Sequence, residues 1–382
     1  MLLSLFLAAA LSGQPAAASP SPSAACAYTG GADTIAVPGH PFAAEPSPDG
    51  CWLFVSLVSR GQPGGVTVLK NSAGRFTAVR TVTLRDGAWG LGLSRDGRLL
   101  FTASGDAINV LSIARLEGED GDPVLGRLFE GAGVGAIYVA PSLDDRLLFI
   151  SDERAMRVTV VDIDRLRSSV FSDKAVLGHV PQASAPVGLA LSPDGGLLFA
   201  TSERAPDRMT FPVRCESEAA GSREGRHPEG VLSVIDVAKA RSDPAHALIA
   251  LAPGGCNPVR VALTPDGATA WVTARGENAV YSFDVASLRA APAKVSRVRY
   301  PAGDSPVGLA IQPGSNTVWV SDSNRFSPGQ QGEIQSVALG PGKSASILKS
   351  GRFPRDLAFL PDGRTLVAAV FGSDAVQLVP TP

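Results

Sequence analysis

The sequence is poor in the residues that do most enzymatic chemistry. Four histidines are spread over 382 residues, at His40, His179, His227 and His246, with no fixed spacing between them. There is no GxSxG, HExxH, phosphate-binding loop or dinucleotide fingerprint, which leaves the familiar serine hydrolase, zincin and nucleotide chemistries without a motif. "GAGVG" at 131–135 lacks the strand–turn–helix setting that phosphate binding needs. The four cysteines form no CxxC or CxxCH, so zinc, thioredoxin-like redox chemistry and covalent haem are unsupported, and no cofactor or metal is expected. Charged residues make up only 18% of the chain and the net charge is −2, which argues against nucleic acid or an anionic membrane as a general partner. The opening apolar stretch from Leu2 to Leu11 is too short to span a bilayer, and no other stretch could cross one.

Glycine and proline are plentiful, at 41 and 30 residues, and hydrophobic residues reach 45%, ample for a core. The opening "MLLSLFLAAALSGQPAAASPSPSAAC" reads as an export signal over residues 1–18, extendable to 25, with a Pro/Ser/Ala spacer over 19–32. Its small-x-small cleavage site is Ala16-Ala17-Ala18. "SAAC" faintly resembles a lipoprotein box, so lipid anchoring through Cys26 is the alternative to soluble secretion or a periplasmic location. Four cysteines in an exported chain imply two disulfides.

One pattern dominates the remainder. A short apolar strand, a turn of the Ser-Pro-Asp-Gly type and a second apolar strand occur seven times: "SPDGCWLFV" from Ser47, "SRDGRLLFT" from Ser94, "SLDDRLLFI" from Ser142, "SPDGGLLFA" from Ser192, "TPDGATAWV" from Thr264, "QPGSNTVWV" from Gln312 and "LPDGRTLVA" from Leu360. The intervals are 47, 48, 50, 72, 48 and 48 residues. Pro presets φ, Asp bonds the backbone beyond it and Gly accepts positive φ, so each copy is a hairpin. A third strand ("VTVVDID", "LSVIDVA", "VYSFDVA") and a fourth complete a unit that cannot bury both faces alone. The expected fold is all-β, a single seven-bladed propeller over 33–382. The last copy runs out after three strands, so "DTIAV" (Asp33 to Val37) is expected to supply its outermost strand and remove an open edge.

This repeat resembles the YVTN-type β-propeller family, and is similar to lactonase-like, phosphogluconolactonase-related propellers, over roughly residues 33–380. The resemblance implies fold strongly and activity weakly, since such propellers host unrelated functions. The pattern is broken at Gly314, where the turn Asp is missing, and at Asp145, which replaces the turn Gly.

The strand order sorts loops onto two faces. Asp49, Asp96, Asp144, Asp194, Asp266 and Asp362 share the hairpin-turn face, where turn chemistry accounts for them. The opposite face carries Arg154, Arg204, Arg275 and Arg325 after the second strands, mixed with Glu153, Glu203, Glu277 and Asn324. Tyr138, Arg260 and Asp356 replace the Gly or Ala of sibling blades at the starts of innermost strands. Those five arginines with Tyr138 and Asp356 form the candidate ligand site, for a small anionic molecule or a protein partner. The interval of 72 marks an insertion at 203–230. Cys215 in it and Cys256 in the next blade-to-blade loop lie on one face of neighbouring blades and are expected to pair, leaving Cys26 with Cys51. The function expected first is binding or scaffolding by a monomer; the alternative is a lactonase-like hydrolase, for which Glu153, Glu203 and Asp356 are available acids but no catalytic role is assigned.

Overall fold

The computed structural model describes residues 26–382 apart from 119, 210, 217–225, 328 and 340–344. The expected export signal and most of the spacer lie outside the described residues. The chain forms seven four-stranded antiparallel blades arranged in a ring. Their innermost strands are His40–Pro46, Leu91–Leu93, Ala136–Pro141, Ser184–Leu191, Pro258–Leu263, Pro306–Ile311 and Pro354–Phe359, numbered here as blades 1 to 7. Strand Asp33–Ala36 pairs with Ala375–Pro380, from Asp33 opposite Leu378 to Ala36 opposite Ala375, so the N-terminal strand is the outer edge of blade 7. Both ends of the ring are thereby held in one sheet, where they seal Val37, Val376 and Leu378 into the apolar cluster shared with blade 1.

The hairpin turns repeat one hydrogen-bonding device. Ser47, Ser94, Ser142, Ser192 and Thr264 each donate a hydroxyl to the Asp two residues on, at 2.5–2.7 Å. In all five turns the same carboxylate accepts the backbone N–H two residues further, at 3.0–3.2 Å, from Cys51, Arg98, Arg146, Gly196 and Ala268. These aspartates are therefore spent on turn geometry. Asp145, which breaks the pattern with φ of 55°, instead accepts the backbone N–H groups of Arg95 and Asp96 and ties blade 3 to blade 2.

A second device joins the blades around the channel. Ser151, Thr201, Thr273 and Ser321, all buried on second strands, accept the N–H of Tyr138, Gly188, Arg260 and Gly308 in their own blade. Each then donates to a carbonyl of the next blade: Val187, Val259, Val307 and Pro354 respectively. The register slips at these points, as between Pro258 and Val261, a bulge that turns the strand start toward the axis.

Short helices lie between the third and fourth strands of blades 2 to 5, over Ile113–Glu117, Ile163–Ser168, Val237–Ser242 and Val285–Ala290. Ser112, Asp162, Asp236 and Asp284 cap their N-termini, so the "ID" that ends a third strand is also a helix cap. The expected disulfides are both present, Cys26–Cys51 and Cys215–Cys256. A Cys26 sulfur held in that bond cannot carry a lipid thioether. Two disulfides fit an oxidising environment, and no helix among the described residues is long and apolar enough to cross a membrane.

Candidate functional site

On the face opposite the hairpin turns, the channel opens into a cavity of about 290 Å³. Its floor is set by the first residues of the innermost strands. Phe42, Trp89, Ile137, Val187, Val259 and Val307 pack as one apolar cluster, and all but Val307 line the cavity. The seventh position of this ring, in blade 7, is Arg355. Sequence reasoning missed it. The signal was the residue after proline, which is Val in "APVG", "NPVR" and "SPVG" but Arg in "FPRD". The residue before that proline is held at positive φ in all four blades: Ala185 at 53°, Asn257 at 50°, Ser305 at 57° and Phe353 at 53°. Such strain persists only where surrounding structure enforces it.

Arg355 is a cation among hydrocarbon. Its guanidinium lies 3.9 Å from the centre of the Phe42 ring, 5.6 Å from Phe353 and 5.9 Å from Phe371. Its Nε is buried with no hydrogen-bond partner, and among the described residues it makes no ion pair. Burial, then the like charges of Arg260, Arg325 and Arg275, hold its pKa well below the ordinary arginine value.

The walls come from the loops after the second strands. They contribute Arg60, Arg154, Arg275 and Arg325 together with Glu153, while Glu203 stands near the end of the second strand of blade 4 and Phe371 comes from the last turn of blade 7. Arg275 reaches across from blade 5 to Glu203 of blade 4 at 3.2 Å. The Glu153 carboxyl has no hydrogen-bond or ion-pair partner among the described residues; burial and then the Glu203 charge raise its pKa, against the pull of Arg154, Arg355 and Arg275. Two neighbouring carboxyls thus sit in different electrostatic settings.

Of the residues expected at the site, Arg154, Arg275 and Arg325 line this cavity. Arg204 ends the second strand of blade 4, opposite Ser184, and is not among the lining residues. Arg260, Tyr138 and Asp356 come together one residue deeper, where Gly and Ala fill the sibling positions. The Arg260 guanidinium lies 4.1 Å from the Tyr138 ring centre, donates to its hydroxyl, and pairs with Asp356 at 3.2 Å. Burial lowers the pKa of Arg260 and raises that of Asp356, in each case outweighing the attraction of the pair. Asp356 in turn helps burial push Glu45 up to about 7. Glu45 lines a second cavity of about 180 Å³ toward the hairpin-turn mouth.

Other charges are structural. Glu277 accepts the backbone N–H of Cys256 at 2.7 Å and the Tyr281 hydroxyl at 3.0 Å. Glu229, fully buried at the end of the insertion, pairs with Arg297 at 2.5 Å and accepts the Gly255 N–H, so the insertion is tied to blade 5 by an ion pair as well as a disulfide. Among the described residues no cluster of His, Cys, Asp or Glu is arranged to hold a metal ion.

No protein-family model matches the sequence, and no curated protein matches it. Solved structures do match in shape. A chain of Kuenenia stuttgartiensis hydrazine synthase is 18% identical, with 90% of this chain covering 96% of that one at a TM-score of 0.66. The β-propeller domain of Cps50 (Swd1) from Myceliophteria thermophila is 15% identical, with 92% and 100% coverage and a TM-score of 0.62. A chain of the mitotic checkpoint complex is 14% identical, with 99% coverage of both and a TM-score of 0.65. At these identities the likeness is one of fold alone: the chain is a seven-bladed β-propeller.

Proposed function

We propose that this is an exported, monomeric binding protein of the periplasm or extracellular space, which holds a small anionic ligand in the arginine-lined cavity. The observation that carries the reading is Arg355, a guanidinium in an apolar ring with no carboxylate of its own. An anion there would supply the missing charge, with Arg60, Arg154, Arg275 and Arg325 around it. Each charge-assisted hydrogen bond sheltered from water contributes about 1.5–3 kcal/mol. In this reading Arg260, Tyr138 and Asp356 form the support beneath the site, and Arg204 takes no direct part.

The test is a thermal-shift and calorimetric screen with citrate, glutarate and inorganic phosphate, repeated on Arg355→Met. Stabilisation of the wild type and its loss in the variant are expected. Equal response of both proteins would remove Arg355 from the site. A second reading, a lactonase-like hydrolase, is favoured by Glu153 and Glu203 facing one cavity: two carboxyls in different surroundings, one paired with Arg275 and the other without an ion pair, are what a general base and a general acid require. Turnover of a sugar lactone, abolished in Glu153→Gln and Glu203→Gln, would select it over simple binding.

A further inference from the structure

The cavity is electrically lopsided, and the ring order shows how. Arg60 of blade 1, Arg325 of blade 6 and Arg355 of blade 7 gather on a cluster of phenylalanines. Arg60 lies 5.6 Å from the Phe371 ring centre, Arg325 lies 6.0 Å from Phe353, and Arg355 touches Phe42, Phe353 and Phe371. Phe353 and Phe371 are themselves 5.2 Å apart. Blades 6, 7 and 1 are contiguous in the ring, so this is one wall. Glu153 and Glu203 belong to blades 3 and 4, on the far side of the channel. The Glu203 charge is matched by Arg275. That leaves Glu153 as the acceptor facing the cationic wall.

A plain dianion would satisfy the arginines and leave the Glu153 carboxyl beside added negative charge. A ligand with a positive donor on its opposite end avoids that conflict. Among the described residues, Arg60, Arg154 and Arg355 stand against Glu153 once Arg275 is set against Glu203, and that excess of cations asks for more than one acidic group on the ligand. We propose that the cavity takes an amino-dicarboxylate, its carboxylates on the Arg60–Arg325–Arg355 wall and its ammonium on Glu153. This rests on the anion-binding reading above and adds the positive group. A volume of about 290 Å³ admits a molecule of glutamate size together with water, or an acidic dipeptide. The raised pKa of Glu153 fits as well, because an ammonium beside it replaces the solvation that burial and Glu203 have stripped away.

L-Glutamate and glutarate differ by the ammonium group alone and form the test. Titration calorimetry on the full chain should show wild-type protein binding L-glutamate at least tenfold tighter than glutarate. Glu153→Gln should erase that preference, and Arg355→Met should weaken both at least tenfold. Equal affinity of the wild type for the two probes, or a preference that survives in Glu153→Gln, would overturn the ammonium assignment and leave the anion site standing. Binding of neither probe by the wild type, or binding indifferent to Arg355→Met, would overturn both. The wild-type comparison decides without any variant, so a poorly folding substitution does not shield the proposal.

Discussion

Replacing Arg355 by methionine separates binding from stability. Methionine keeps an unbranched apolar stem against Phe42 and removes the charge. In the unliganded protein the guanidinium is opposed by desolvation and by Arg260, Arg275 and Arg325. Replacing buried ionic groups by apolar side chains of similar volume ranges from neutral to a gain of about 4 kcal/mol. Loss of the cation–π contacts with Phe42, Phe353 and Phe371 takes back about 0.5–2 kcal/mol. The balance lies between about −2 and +3.5 kcal/mol. A chain of 382 residues has an unfolding entropy of about 0.8 kcal/mol/K, so the melting temperature should move by between about −2.5 and +4 °C. Arg260→Met makes the contrast. It strands Asp356 in a buried position and should cost about 3–5 kcal/mol, a fall of about 4–6 °C. Calorimetric melts in a buffer free of phosphate, sulfate and carboxylates read both values, and titration with glutarate reads binding. Loss of binding with an unchanged or higher melting temperature marks a ligand-holding arginine. A fall for Arg355→Met as large as that for Arg260→Met would refute the argument, because Arg355 would then be holding the ring together rather than waiting for an anion.

Breaking the Cys215–Cys256 bond by Cys215→Ala with Cys256→Ala opens a closed loop of 41 residues and should cost about 4 kcal/mol, read as the drop in denaturation midpoint against wild type. Arg297→Met leaves Glu229 buried without its partner and should loosen the insertion; protease cleavage between residues 205 and 228 should quicken severalfold, and an unchanged cleavage rate would count against the ion pair as its anchor. Burial raises the Asp322 carboxyl to about 7 from 3.8, so the folded protein holds a proton there that the unfolded chain has lost. That contribution is complete below about pH 3.8 and is lost as pH rises to about 7, and Asp322→Asn should flatten this part of the stability profile between pH 4 and 7. Deleting residues 33–37 bares the edge of strand Ala375–Pro380 and should lower both melting temperature and solubility; a truncated chain that melts with the full one would refute closure by that strand.

The architecture was legible because its signals repeat. Seven turns at near-constant spacing outvote any ambiguity in one of them, and a count of strands that comes up one short at the C-terminus points to the spare one at Asp33. The disulfides followed once the loops were sorted by face. The short helices were not legible. Five or six residues give no helical period, and the Asp of "VDID" or "SFDVA" serves equally as the end of a strand and as an N-cap. The blade-to-blade bonds of Ser151, Thr201, Thr273 and Ser321 were hidden for a different reason. A small polar residue at the end of an apolar strand has many ordinary roles, and only the position of the neighbouring carbonyl selects this one.

The candidate site shows where reading by substitution reaches its limit. Tyr138, Arg260 and Asp356 stand out because they replace Gly or Ala, yet three unusual residues at one level of a channel can pair with one another, and these do, with the Nη1 of Arg260 left without a hydrogen-bond partner. The Arg260 charge has its counter-charge in Asp356. Arg355 replaces valine one residue earlier in its strand and has no counterpart at its own level: the other six positions are hydrocarbon or aromatic. Conspicuous charge in a channel is therefore a weaker pointer to a ligand than unmatched charge, and matching depends on which residues the ring brings to one height. That height is set by the bulge after each strand start and the hydroxyl bonds that pin it, which is why the structure distinguishes the filled level from the one with a charge to spare.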